Sequence, residues 1–341
     1  MVIRSSRRRT LLLSLVVTLG IAGSMIAFAA PVNAAPPVYV VVGDDPNATG
    51  DQWGFHESYY SELRAVITNP ANFGASGKVN AVFTIGAARA LPLGTNSLDG
   101  VDVYFLAART LADAEVPVLL SFIGRGGAVV ANSNAPGFFD DTDWLGFKLS
   151  PRVVYGDGAA PYTTTHRAPA PSAVDAAQIA HPAVNGPFGT VATFENWHSV
   201  AGFTASPAKA TVLAHTTLTG PDNNGSTNFI TLANVATLAV IPAGGFGTGS
   251  GPVVATSDVD TFSNAYTAGI GYPTDTLCTL TGTTNGTLAR DVFAWIAAQK
   301  ASTPTPTTTG TVATTTVVPT STTSTTTTST PVTTTTRRRK R

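Results

Sequence analysis

The sequence predicts an α/β protein built on a doubly wound, mostly parallel sheet. Three observations carry this. "VYVVV" (38–42) is apolar without alternation, as a strand covered on both faces must be. "ESYYSELRAVI" (57–67) places Tyr60, Leu63, Val66 and Ile67 on one helical face. Strands and helices then recur at the spacing of crossover units as far as residue 133, which requires parallel strands with helices on both faces.

The elements follow in order. After 38–42 comes a long polar loop, "GDDPNATGDQWGFH", and then the helix over 57–67. "VNAVFTI" (79–85) is the second strand and residues 101–107 of "LDGVDVYFLAA" are the third. "DAEVPVLLSFIGRGG" (113–127) is a helix. Asp113 and Glu115 suit its amino end, Pro117 is tolerated only near its first turn, and Gly126 and Gly127 stop it. "AVVANS" (128–133) is the fourth strand. Residues 138–235 read as an insertion or irregular part, rich in Gly, Pro, Thr and Ala, with short strands at 189–194 and 210–215. Strand character returns at 236–242 and 251–262. "NGTLARDVFAWIAAQ" (285–299) closes the domain as a helix with Leu288, Val292, Trp295 and Ile296 on one face.

Both ends of the chain have a different composition. Arg4, Arg7, Arg8 and Arg9 precede an apolar run and then Val32-x-Ala34, the pattern of a secretory leader cut after Ala34. "SRRRTLL" also matches a twin-arginine leader, except that Thr10 stands where Phe is usual, so both export routes stay open. The domain is expected over 35–300. Thr fills 21 of the 36 positions from 301 to 336, which reads as a Thr-rich stalk with too little apolar surface to offset ordering. Arg337–Arg341 form a basic tail.

The formal net charge of zero hides a split. Four of the 20 basic residues lie in the leader and five in the tail, leaving 11 in the domain against 20 acidic ones. A domain this acidic argues against specific nucleic-acid binding, whereas the tail suits an anionic cell-envelope polymer. The single cysteine, Cys278, excludes an internal disulfide, so a packed core must supply the stability.

Three stretches together resemble a known superfamily. They are "LDGVDVYFLAARTLADAEVPVLLSFIGRGGAVVANSN", the loop "HPAVNGPFG" (181–189), and "SGPVVATSDVDTFSN" with the closing helix. In these the chain resembles the class I glutamine amidotransferase-like superfamily, and most closely its uncharacterised, non-amidotransferase branch. The resemblance implies a flavodoxin-like sheet. The family's nucleophile is a Cys in a Gly-x-Cys-x-Gly turn, backed by His and Glu. "ANSNAP" occupies that place here. It has no Cys and no leading Gly, and Ser133 is its only hydroxyl. The resemblance therefore implies a catalytically degenerate domain.

The candidate site residues are few. Ser133 with His181 or His198, or Glu195 with His198, would be needed for nucleophilic or acid–base chemistry. Against that, Ser, Asn and Asp at strand ends commonly serve turns. Ligands of doubly wound sheets meet the carboxyl ends of the strands. There Asp44, Asp45, Ser133, Asp258 and Asp260 are candidate ligand-binding residues, with oxygen donors suited to calcium or to sugar hydroxyls. The sequence thus points to an exported binding or surface-interaction module of the cell envelope. A secreted hydrolase, carbohydrate-directed and using a site of another kind, is the alternative, and a structural envelope protein is a third reading.

Overall fold

The computed structural model describes residues 35–45, 53–107, 109–134, 142–154, 169–197, 199–222, 229–264 and 279–302. The leader, the stalk and basic tail beyond residue 302, His198 and Cys278 lie outside the described residues.

The strands in chain order are β1 (Val38–Val42), β2 (Val82–Ile85), β3 (Val103–Ala107), β4 (Ala128–Asn132), β5 (Lys148–Leu149), β6 (Val153–Val154), β7 (Pro169–Val174) and β8 (Asn185–Gly186). They continue as β9 (Gly189–Thr190), β10 (Thr193–Trp197), β11 (Ser199–Val200), β12 (Phe203–Ala205), β13 (Thr211–Pro221), β14 (Phe229–Ile241) and β15 (Val253–Thr256). The α-helices are α1 (Ser61–Thr68), α2 (Val116–Gly124) and α3 (Thr284–Ser302).

One sheet organises the domain, in the order β10-β7-β13-β14-β15-β4-β3-β1-β2. From β2 to β15 the neighbours run parallel. From β15 to β10 they run antiparallel. The α/β class and the parallel, doubly wound half stand as the sequence predicts. The stretch read as an insertion supplies β7, β10, β13 and most of β14 to the same sheet.

The unbroken apolar runs have a direct cause. All five residues of β3 are buried, with Val103, Phe105 and Ala107 in one core and Tyr104 and Leu106 in the other. β4 divides likewise, Ala128 and Val130 against Val129 and Ala131. The first core is closed by α1, through Leu63 and Ile67, and by α3. The second is closed by α2, through Leu119, Phe122 and Ile123. Each strand residue therefore loses its solvent, and period-2 alternation disappears.

α3 is buried more widely than one face. Its residues from Asn285 to Ala297 are buried except Thr287 and Arg290. The extra cover comes from the loop "HPAVNGPFG", which wraps the helix as the small hairpin β8–β9. Asp291 of α3 holds this loop, its Oδ1 accepting from Phe188 N at 3.0 Å. Gly186 is required there, because a Cβ would lie 2.4 Å from Asp291 Oδ1. The loop that carries the family resemblance is thus a packing device for the closing helix.

The first turn of α3 gives a sharp test. A Cβ on Gly286 would stand 1.6 Å from the carbonyl oxygen of Leu280. Ala normally favours a helix over Gly by about 1 kcal/mol. Here the clash is with backbone, so Gly286→Ala is expected to destabilise the full chain by about 1–3 kcal/mol instead. A thermal melt that rises or stays unchanged would show that the turn simply moves aside.

Candidate functional site

The carboxyl ends of the parallel strands hold two polar clusters. The first joins β1 to β3. Asp44, two residues past β1 and 2% exposed, accepts from the Tyr104 hydroxyl and from Arg109 Nε. The other side of the Arg109 guanidinium forks onto Glu115, with Nη1 to Oε2 at 2.7 Å and Nη2 to Oε1 at 3.0 Å. Glu115 also accepts from Leu93 N at 2.8 Å and Ala112 N at 3.0 Å. Its predicted role at the start of α2 is therefore refined. It occupies the N-cap position, yet its side chain ties down Arg109 and two loop amides rather than the helix terminus.

The protonation tendencies follow from solvation. Burial pushes the Asp44 carboxyl up, and Arg109 and Tyr104 pull it only part of the way back. Burial also raises Glu115, but the Arg109 fork and the two amides outweigh it, leaving that carboxyl below its ordinary range. Arg109 itself is disfavoured by burial, yet the surrounding phenol and carboxylates hold its charge firmly. One guanidinium therefore bridges two buried acids, and the cluster behaves as a structural rivet.

The second cluster joins β4, β15 and β10. Ser133 N donates to Thr256 O at 2.9 Å, and Ser133 Oγ donates to Thr142 Oγ1 at 2.9 Å. The Thr256 hydroxyl donates to Asn132 Oδ1 at 2.8 Å. Asp258 is fully buried. Its Oδ2 accepts from Trp197 N at 2.7 Å and its Oδ1 from Asp260 N at 3.1 Å. Asp258 thereby caps the short 3-10 turn at Val259–Phe262, and Asp260 Oδ1 accepts from the Ser263 hydroxyl at 2.8 Å. Burial, and then the neighbouring Asp260, push the Asp258 carboxyl well above its usual range.

This second cluster also finishes the sheet. β10 is the edge strand. Two of its outward amides are taken by side chains, Trp197 N by Asp258 and Glu195 N by Asn285 Oδ1 at 2.8 Å. An edge whose donors are already occupied gives another strand little to pair with.

The sequence-predicted residues are not brought together as catalytic pairs. Ser133 lies buried at the carboxyl end of β4. His181 lies at the opposite, amino-end side, its ring 5.8 Å from that of Trp295, where burial lowers its pKa. Glu195 is exposed on β10, and His198 lies outside the described residues. Two further histidines are held elsewhere. His56 Nε2 accepts from Gly43 N at 3.1 Å, and His215 pairs with Asp175 at 2.8 Å.

The predicted ligand-binding aspartates also separate. Asp44 follows β1, whereas Asp258 and Asp260 follow β15, with β3 and β4 between those strands. At one strand spacing each this is roughly 14 Å. Asp45 is half-buried, and its amide donates to Arg89 O at 2.8 Å. Among the described residues no group of three or more His, Cys, Asp or Glu is arranged to hold a metal ion. The calcium expectation required Asp44, Asp45, Asp258 and Asp260 to share one centre. Asp44 is instead committed to Arg109 and Tyr104, and Asp258 to two backbone amides.

Sequence reasoning missed Tyr104 and Arg109, and gave Glu115 only a place at the helix start. The available signal was an Arg just past a buried strand and a Glu six residues later.

No protein-family model matches the chain, and no curated protein matches it in sequence. Among solved structures it is similar to the mmIFT52 N-terminal domain, at 13% identity over 76% of this chain and 96% of that one, with a TM-score of 0.44. It is also similar to a ThuA-like protein from Bacteroides uniformis, at 14% identity over 79% of this chain and 95% of that one, with a TM-score of 0.44. A ThuA-like protein from Parabacteroides merdae matches at 11% identity over 77% and 90% of the two chains, with a TM-score of 0.38. The structures that this chain resembles thus include ThuA-like proteins.

Proposed function

We propose that this chain is an exported, non-catalytic α/β module that acts by binding at the cell envelope. The observation that carries the reading is the burial of Ser133. It occupies the position where the resembled superfamily keeps its nucleophile, it is 0% exposed, and its hydroxyl proton is directed at Thr142. A nucleophile must meet its substrate and hand its proton to a base. This one is turned into the protein. Export is supported by the basic n-region, the apolar run and Val32-x-Ala34. Attraction to an anionic envelope polymer is supported by the five basic residues Arg337–Arg341, whose field reaches about 8 Å at physiological salt.

The test compares the full chain, Ser133→Ala and a form lacking 337–341. None is expected to release ammonia from glutamine or reducing ends from envelope polysaccharide. The full chain and Ser133→Ala should sediment equally with isolated envelopes at low salt. The form without the tail should sediment less, and high salt should remove the difference. Turnover that disappears in Ser133→Ala would establish the hydrolase alternative in its place.

A further inference from the structure

We propose that a groove at the amino ends of β1 and β2 is a binding site for a free, single-chain fatty carboxylate, with the hydrocarbon in the groove and the carboxylate at Lys78. The groove lies at the side of the sheet opposite Ser133 and Asp258, so it does not rest on the binding-module reading, and either can fail alone.

Three observations carry the assignment. The first is size and lining. The cavity is about 410 Å³, walled by Tyr39, Pro182, Pro187 and Trp295 and left open by small residues such as Ala298 and Ala301 on the last turns of α3. Ligand pockets commonly measure roughly 300–1,000 Å³ and combine an apolar lining with a few polar groups. Tyr39 and Trp295 are 7% and 4% exposed, so they are fixed parts of the wall.

The second observation is charge. Lys78 is exposed on the wall, and its ammonium lies 5.4 Å from the centroid of the Phe188 ring. It makes no ion pair among the described residues. Lys300, close to the same region, differs. It pairs with Asp102 at 3.2 Å and donates to Gly126 O at 3.0 Å. Arg290 stands over the same Phe188 ring, 5.5 Å from its centroid. Asp291 beneath is fully buried and accepts from the Phe188 amide. Asp291 turns inward to the Phe188 amide and feels the Lys78 charge without forming an ion pair with it, so the lysine ammonium can still take an exposed anion. An apolar slot with a cation on its wall is complementary to an anion with one hydrocarbon chain.

The third observation distinguishes a free molecule from a lipid surface. Among the described residues the exposed large apolar side chains are Val38, Leu120 and Phe229, on β1, α2 and β14. They are scattered, whereas membrane-surface binding needs a continuous apolar face.

Calorimetric titration of the full chain with decanoate and with decan-1-ol tests the proposal. Decanoate should bind one to one. Lys78→Ala should weaken decanoate about three- to fivefold, as the loss of one solvent-facing ion pair implies, and leave decan-1-ol within about twofold. Ala298→Trp, at an exposed helix position, should fill the groove and remove both, with an unchanged melting temperature showing that the fold is intact. The proposal is overturned by absent decanoate binding, by binding that survives Ala298→Trp, or by a Lys78→Ala effect that is nil or equal for acid and alcohol. It is also overturned by anionic phosphatidylglycerol vesicles that capture the chain through Lys78 when decanoate does not bind.

Discussion

Replacing Arg109 with Leu is expected to cost about 3–5 kcal/mol, a large part of the stability of a domain this size. The guanidinium is the counter-charge for both Asp44 and Glu115, at 2% exposure each. Leu fills similar space but leaves both carboxylates in surroundings that solvate charge poorly. One must then take up a proton, or the loop must open to water. Glu115 keeps its bonds from Leu93 and Ala112, so the larger loss falls on Asp44, which keeps only Tyr104. A double replacement, Arg109→Leu with Asp44→Asn, should therefore recover part of the loss. Exposed pairs provide the control. Arg125 with Asp99 and Lys148 with Asp143 are solvent-facing, and removing either should change stability by less than about 1 kcal/mol. The measurement is the urea midpoint of the full chain at neutral pH with an unchanged slope. A loss for Arg109→Leu no larger than for the exposed pairs would mean that the cluster is open to solvent and is no rivet.

How much of this was legible in the sequence depended on how each strand meets its neighbours. β3 and β4 announced themselves because both of their faces are covered, and β1 because its run is wholly apolar, although Val38 is exposed and Val40 half-buried. β7 did not, because Pro169 and Pro171 look like strand breakers. Its register removes the conflict. Pro171 stands opposite Glu195 and Pro169 opposite Trp197, and the amides of those two partners point away from β7, towards Asn285 and Asp258. In such pairs the β10 ladder asks no donor of β7, and on the other side β13 pairs with Ala173 and Val174, beyond both prolines, so neither interrupts a ladder. β14 was legible only from residue 236 because its first half is partly exposed and contains Asn234 at φ 52°.

The candidate site was legible in position and less so in role. The missing nucleophile at "ANSNAP" could be read directly. That the strand-end acids would be turned inward could not be, because their partners lie far off in sequence. Asp44 meets Arg109 across 65 residues, and Asp258 meets Trp197 across 61. Strand-end aspartates look the same in sequence whether they face a ligand or a backbone amide. The difference is set by the antiparallel half of the sheet, which brings β10 alongside the turn after β15.

Asp258 is the residue on which that junction depends, and its replacement has the second large effect. Asp258→Ala would leave the amides of Trp197 and Asp260 without acceptors in a buried setting. At about 1–3 kcal/mol for each, the loss is about 2–6 kcal/mol. The same residue predicts a pH dependence with a definite sign. Its folded-state carboxyl is raised, by burial and then by Asp260, while the two amides and Arg152 pull it down less strongly. Between the unfolded value near 4 and that raised value, the folded chain holds a proton that the unfolded chain has lost. The contribution of Asp258 is therefore fully present below about pH 4 and is lost as the pH climbs through the raised value. Asp258→Asn keeps one acceptor oxygen and never ionises, so it lacks this slope. Asp44 and Asp291 are raised as well, mainly by burial, and tilt the whole chain the same way. The informative quantity is thus the stability difference between the natural chain and Asp258→Asn, measured by urea unfolding at several pH values. The natural chain's advantage over the variant should shrink from pH 4.5 to pH 7.5. An advantage that stays constant or grows over that interval would mean that Asp258 is ionised at little cost, its charge satisfied by the two amides and Arg152 despite complete burial.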